Sequence, residues 1–306
     1  MMNGDFKLKG HLAMLGANVM WGLMSPVAKL VMAAGVVSPL LLTDCRICGA
    51  ALLFWMLSFF YRREHVPPGD LLRLAGAGML GILLNQGSFI FGVGLTSPGE
   101  ASLITTTMPM WVMLLAALIL KEPVTVKKVG GILLGAAGAL ILVLGSSRGG
   151  ARGDNPLAGD LLVLGAQLSY ALYLTFYKNF IKKYSLVTLM KWMFTFAAAV
   201  ALPVSFFALP AADYSALSWS ELAGIGYVVA FGTFLAYICI MTGQKNLRPT
   251  IVGMYNYVQP IVATLIGIWL GLDRFTAPKA LAVLLIFSGV YFVTVSRSAS
   301  SSPAKA

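Results

Sequence analysis

Nine stretches of this 306-residue sequence run 17 residues or more without one Asp, Glu, Lys or Arg: 10–28, 74–99, 101–120, 129–147, 161–177, 192–212, 222–244, 249–272 and 280–296. A tenth, 38–61, is interrupted only by Asp44 and Arg46. A helix that crosses a bilayer needs about 20 mainly apolar residues. At about 22 residues each, ten such helices consume roughly 220 residues, and what remains is turns and short tails. No length is left for a separate soluble domain. Charged residues are 11% of the chain and apolar ones 58%, against about 25% and 45–50% in soluble domains. So few charges cannot cover a soluble surface, which excludes a cytosolic enzyme, a disordered chain and a disulfide scaffold. The expected fold is an all-α integral membrane protein of ten transmembrane helices.

The basic start of the first segment (Lys7, Lys9) and its later small residues (Ala33, Ala34, Gly35) resemble a signal sequence. Because the segment has a counterpart in the second half of the chain, it is expected to stay as a helix. Cys45, Cys48 and Cys239 all fall inside apolar segments, and the C-x-x-C spacing of the first two has no second pair to complete a zinc site. His11 and His65 fall at segment ends. No metal and no cofactor is expected.

Short loops rich in Lys and Arg stay in the cytoplasm. With the N-terminus inside and the segments alternating, fifteen basic residues fall inside and five outside (Lys29, Arg148, Arg152, Arg274, Lys279). Both termini are therefore expected in the cytoplasm. The net charge of +11 is spread over every inner loop, which is a topology signal and gives no reason to expect nucleic acid.

The chain also repeats itself. Leu74-Ala75-Gly76-Ala77-Gly78 matches Leu222-Ala223-Gly224-Ile225-Gly226, and Gly16-Ala17-Asn18 matches Gly165-Ala166-Gln167, which carries Trp21 onto Tyr170 and Lys29 onto Lys178. Pro98 and Pro109 match Pro249 and Pro260; Thr125, Lys128 and Gly138 match Thr276, Lys279 and Gly289. Helices 1–5 (residues 10–146) would thus repeat as helices 6–10 (159–296). An extracytoplasmic linker, 147–158, would join them, and 297–306 would be a cytoplasmic tail. Five spans per half is an odd number, so the second half must enter the membrane inverted. Inverted repeats are a transporter architecture with the substrate site near the midplane between them.

These residues resemble the EamA family of the drug/metabolite transporter superfamily. The resemblance rests on Thr107-Met108-Pro109 in the fourth helix, Lys121-Glu122-Pro123-Val124-Thr125 after it, and Gly130, Gly131, Gly135 and Gly138 in the fifth. The second copy offers Val258-Gln259-Pro260, Asp273-Arg274-Phe275-Thr276 and Gly289, while Trp21-Gly22 with Pro26, and Thr43-x-x-Arg46, resemble the first and second helices. It covers about residues 10–296. Tyr170-Ala171 stands where a second Trp-Gly would be, and Met193 where a second Arg46 would be. The resemblance implies ten helices, a central cavity and movement of a small metabolite.

Polar side chains at membrane depth must face a partner or water. Asn18, Trp21, Asn85, Gln86, Thr106, Trp111, Gln167, Tyr170, Tyr255, Asn256 and Gln259 are the candidate lining of a polar, aromatic and almost uncharged cavity. Each alone is as readily an interhelical hydrogen bond. Charges inside spans are costly. Asp44 and Arg46, two apart on one helix, point in different directions and cannot pair with each other. With Lys29 and Glu100 they form an expected outer cluster, either ion bridges that close the outer side or a site where one acid takes up a proton. The inner counterpart is expected to be basic with no buried acid. There Lys178 and Lys191 stand opposite Lys29 and Asp44 in the repeat, and either snorkel to headgroups or attract an anion. The glycine face of helix 5 reads as close packing or as a dimer seam, so the chain is a monomer or a weak homodimer.

No H-E-x-x-H and no Walker motif occurs, the two His fall at segment ends, and the one G-x-S-x-G, Gly145-Ser146-Ser147-Arg148-Gly149, falls where the fifth segment runs into the linker, which disfavours an intramembrane enzyme and an ATP-driven pump. The expectation is a secondary transporter in a bacterial cell (inner) membrane. It would export amino acids or related compounds by alternating access, with protons as a possible coupling ion. A nucleobase, an organic anion or a drug is the alternative cargo.

Overall fold

The computed structural model describes residues 2–33, 35–96, 101, 104–146, 155–208, 217–269 and 276–296, and no strand occurs among them. The long helices are α1 (Met2–Ala33), α2 (Pro39–Ser58), α3 (Pro68–Leu95), α4 (Met108–Leu120), α5 (Val126–Ser146), α6 (Pro156–Phe176), α7 (Leu186–Ala208), α8 (Trp219–Asn246), α9 (249–269) and α10 (Ala277–Thr294). Six of them, α2, α3, α6, α7, α8 and α10, contain stretches long and apolar enough to cross a membrane, and α4 is a shorter apolar helix. Local chemistry sets several starts. The Ser38 hydroxyl accepts the Leu41 N–H at 3.1 Å with Pro39 in the first turn, and Asn155 does the same for Ala158 before Pro156. Ser218 and Glu221 close a capping box at the head of α8.

Four elements depart from plain α-helix at matched places. In α3, Met79–Leu83 is a π turn; in α8, Ala230–Leu235 is another, starting 151 residues later. Each π turn frees a carbonyl that a side chain from the other half of the chain then uses. Tyr237 Oη donates to Gly81 O at 3.1 Å, and Trp21 Nε1 donates to Gly232 O at 2.9 Å. In α9 the helix tightens to a 3-10 turn at Tyr255–Tyr257, and residues 104–107 make a turn ahead of α4. Both sit just before a proline, Pro260 and Pro109, whose missing N–H cannot bond back to residues 256 and 105.

The packing crosses between halves. α1 lies on α8 and α9, α6 lies on α3 and α4, α2 pairs with α7, and α5 with α10. The glycine face of α5 is consumed inside the chain. A Cβ added to Gly131 would meet Gly289 O at 2.7 Å and one on Gly138 would meet Ala282 O at 2.5 Å. That is the close-packing alternative, and it leaves this face no role as a dimer seam.

Candidate functional site

The interrupted helices and α1 bring most of the expected cavity residues together. The Asn18 amide, fully buried, donates to Met14 O and accepts from Gln259 Nε2 at 3.0 Å, which also reaches Asn256 Oδ1 at 3.4 Å. One turn away on α9, the Tyr255 hydroxyl meets His11 Nδ1 at 2.7 Å. On the other side of α1, the Trp21 ring stands edge-on to Tyr170 and Tyr237, with centroids 6.3 and 6.0 Å apart. Gln86 Nε2 donates to Tyr237 Oη at 2.8 Å. Gln244 holds two tyrosines at 2.9 Å each, donating to Tyr170 and accepting from Tyr173.

Two polar atoms in this region are buried without a partner, Gln86 Oε1 and Trp111 Nε1. Buried polar groups are nearly always satisfied, so an acceptor and a donor left over are unusual. Asn85 is turned aside, donating to Ala166 O at 2.9 Å as an α3–α6 clasp. Thr106 and Gln167 are buried. Tyr173, a cavity candidate from sequence like Tyr170, belongs to the same network, and so do Tyr237, Gln244 and His11, which sequence did not place there. The signal for Gln244 was there, as a lone amide inside the apolar stretch 222–244.

Of the expected outer cluster, only Asp44 and Arg46 are described in full. Glu100 and the side chain of Lys29 lie outside the described residues, as do most of the linker, Asp273 and the C-terminal tail. Arg46, 2% exposed, turns to α8 and donates from Nε to Thr233 Oγ1 at 3.1 Å. Asp44 points away from it, as its spacing requires. Asp44 is 7% exposed, and neither carboxylate oxygen finds a hydrogen-bond partner. The Ser205 hydroxyl of α7 lies beside the carboxyl without closing a hydrogen bond and is itself unpartnered.

The side expected to be inner corrects the sequence reading, for it does hold a buried acid. α4 ends on Lys121 in the left-handed region (φ 52°), and the Glu122 N–H bonds back to Ala116 O at 3.1 Å. This reversal, followed by Pro123, carries the Glu122 side chain under the helices. Its carboxylate accepts Lys128 at 2.9 Å, Lys178 at 3.1 Å and the Thr250 hydroxyl at 3.1 Å. Glu122 is 5% exposed and Lys128 1%. Burial pushes the Glu122 carboxyl up, but the two ammonium groups outweigh it and hold its pKa below the usual glutamate range. Lys128 is on the same half as Glu122; Lys178 and Thr250 are on the other.

A second tie joins the halves nearby, where Asp70 of α3 accepts from Lys183 and from the Tyr184 hydroxyl. The Ser185 N–H donates to Glu64 at 2.9 Å. Lys191, expected with Lys178, stands apart from both ties. Its ammonium lies 4.8 Å over the Trp55 ring, at the end of the α2–α7 pair.

Comparisons with known proteins come to the same kind of molecule. The pattern of the EamA-like transporter family matches residues 8–144 and again 157–295. The chain is 25% identical to the uncharacterized transporter YoaV of Bacillus subtilis (strain 168), over 94% of this chain and 97% of that one. It is 26% identical to the uncharacterized inner membrane transporter YedA of Escherichia coli (strain K12), over 93% and 90%. It is 27% identical to protein PecM of Dickeya dadantii (strain 3937), over 75% and 76%. One solved crystal structure shares the fold with a TM-score of 0.73, at 19% identity over 95% of this chain and 96% of that one.

Proposed function

Because this chain belongs to the EamA-like transporter family, we propose that it is a secondary transporter exporting small metabolites of the amino-acid class by alternating access. It is a multi-pass protein of the bacterial inner membrane. In this reading its ten helices are two inverted five-helix repeats, 10–146 and 159–296, with both termini in the cytoplasm. The matched π turns, the matched proline breaks and the reciprocal packing of α1 and α6 support the repeat.

One observation carries the transport reading. The amide and aromatic network of Asn18, Trp21, Gln86, Tyr170, Tyr237, Gln244 and Gln259 is built where helices of the two halves exchange partners. It is polar and almost without charge, and discontinuous helices flank it, as at substrate sites between inverted repeats. The Glu122 and Asp70 ties join the halves on the cytoplasmic side, so they are the inner gate, closed in this conformation. Lys29, Glu100 and Arg46 remain the candidates for an outer gate. A buried ionised carboxylate that closes no hydrogen bond is costly. Asp44 therefore takes up a proton here and releases it when the helices rearrange, which couples export to the proton gradient. The edge-on grouping of Trp21, Tyr170 and Tyr237 favours a flat ring in the cargo, so an aromatic amino acid leads and a nucleobase is the second reading.

Efflux from proteoliposomes loaded with labelled amino acids, nucleobases, organic anions and drugs, with and without a pH gradient, is the test. Amino-acid efflux that responds to the gradient is expected. Movement of nucleobases alone would replace the cargo class. No movement of any solute, by protein whose fold is intact, would overturn the transport reading.

A further inference from the structure

At the end of the α2–α7 pair opposite Asp44 lies a cleft of about 390 Å³, whose walls include Trp55, Arg63, Glu64, Lys191 and Trp192. Its aromatic wall is fixed. The Trp55 indole donates to Thr195 Oγ1 at 2.8 Å, that hydroxyl donates to Lys191 O, and Trp192 stands edge-on to Trp55 at 5.6 Å. The Lys191 ammonium rests on the face of this ring, 4.8 Å from its centroid. Among the described residues the ion pairs use Asp70 and Glu122, and neither Lys191 nor Arg63 takes part in one.

Glu64, the acid in the wall, is already engaged. The Ser185 N–H chelates both of its oxygens at 3.1 and 2.9 Å. Although burial pushes its carboxyl up, hydrogen bonds from Thr188 and Ser185 and the charge of Lys245 hold the pKa below the usual range. The cleft's uncommitted charges are thus two cations beside an apolar shelf. Around its mouth Phe59, Phe60 and Tyr61 are 76%, 86% and 54% exposed, the arrangement of an aromatic belt at a membrane surface.

We propose that this cleft binds the phosphodiester headgroup of an anionic membrane phospholipid. Lys191 and Arg63 hold the phosphate, and Trp55 and Trp192 lie against the glycerol and upper acyl carbons. The inference rests on the topology proposed above, which puts this end of the pair at the cytoplasmic leaflet. It assigns Lys191 to lipid and removes it from the gates. A soluble phosphate ester offers the same chemistry, so the source has to be separated by experiment.

The purified full-length protein, stripped of lipid in a neutral detergent, is titrated with phosphatidylglycerol, with phosphatidylcholine and with glycerol phosphate. Bound lipid is counted by native mass spectrometry. Phosphatidylglycerol should bind in preference to phosphatidylcholine. Lys191→Gln and Arg63→Gln should each weaken it about fivefold, roughly the attraction of one basic side chain to an anionic surface, and Lys191→Arg should restore it. Arg63 is exposed, so its variant will fold whatever Lys191→Gln does. Displacement by equimolar glycerol phosphate would overturn lipid as the source and keep the phosphate site. Equal binding of the two lipids, or Arg63→Gln and Lys191→Gln both binding as wild type, would overturn the proposal.

Discussion

Glu122→Gln removes one negative charge from under two ammonium groups, and the structure says which of them suffers. The Lys178 side chain is 22% exposed and can turn to water. Lys128 is 1% exposed and has no such route. An uncompensated buried charge costs about 3–5 kcal/mol. The Gln amide still offers one acceptor oxygen, and a hydrogen bond to a charged donor returns about 1.5–3 kcal/mol. The remainder, about 1–3 kcal/mol, falls only on the conformation that contains the cluster. If that is the cytoplasm-closed one, the equilibrium moves about 5–150-fold towards the cytoplasm-open form. A cysteine placed at Thr175, buried near the Phe176 end of α6, in a chain lacking Cys45, Cys48 and Cys239, reports this as faster labelling from the cytoplasmic side of the proposed topology by an impermeant maleimide. Adding Lys128→Met should return labelling towards the starting rate, because it removes the stranded charge. Unchanged labelling in Glu122→Gln, with the fold intact, would refute the gate. The same tie should be indifferent to physiological pH. A carboxyl whose pKa is depressed stabilises the folded state above its unfolded pKa and loses that contribution only as pH falls through the lower folded value. The Glu122 cluster therefore stays closed at neutral pH and fails only below the ordinary glutamate range.

Asp44→Asn should transport at a rate that no longer responds to a pH gradient in proteoliposomes; retained pH dependence would remove Asp44 as the proton carrier. Trp111→Phe keeps the ring and deletes the unpartnered N–H, so efflux should fall about three- to tenfold, the worth of one hydrogen bond, with unchanged thermal stability; full activity would place the cargo elsewhere. Gly81→Ala drives a methyl to 2.8 Å from the Tyr173 ring and should cost about 1–3 kcal/mol in unfolding experiments, whereas Gly226→Ala, with open space around it, should be neutral. Single cysteines at Ser147 and Ser185, in a chain lacking the native three, should label from opposite sides of the membrane, and labelling from one side would sink the inverted topology.

The broad architecture was legible because charge is so expensive in a bilayer that its gaps mark helices. The repeat offset was equally plain, and it placed Pro109 and Pro260 where the helices break. The π turns were not legible, since Gly81 and Gly232 look like any small residue until the Tyr173 ring and the Trp21 side chain close on them. Asn18, Trp21, Gln86, Tyr170 and Gln259 were findable as polar groups at depth. Tyr237 and Gln244 were passed over because one more tyrosine or glutamine in an apolar run carries no label. Glu122 was missed as a site because loop acids are normally solvated; only the left-handed turn at Lys121 reveals that its carboxylate points inward.

The exchange of partners between halves sets a schedule for biosynthesis. Trp21 finds its acceptor on Gly232, 211 residues later, and Asn18 its amide partner on Gln259, 241 residues later. At about 5–20 residues per second, α1 leaves the ribosome roughly 10–50 seconds before these contacts exist. Through that interval the Asn18 carbonyl oxygen and the Trp21 N–H lack their native partners, and a polar group in lipid is costly to leave unmet. The first helix must therefore wait at the insertion machinery, or against a chaperone with polar groups of its own, until the eighth and ninth arrive. A truncated nascent chain that ends before α8 should be cross-linkable to that machinery through position 21, and lose the cross-link once α8 and α9 are made.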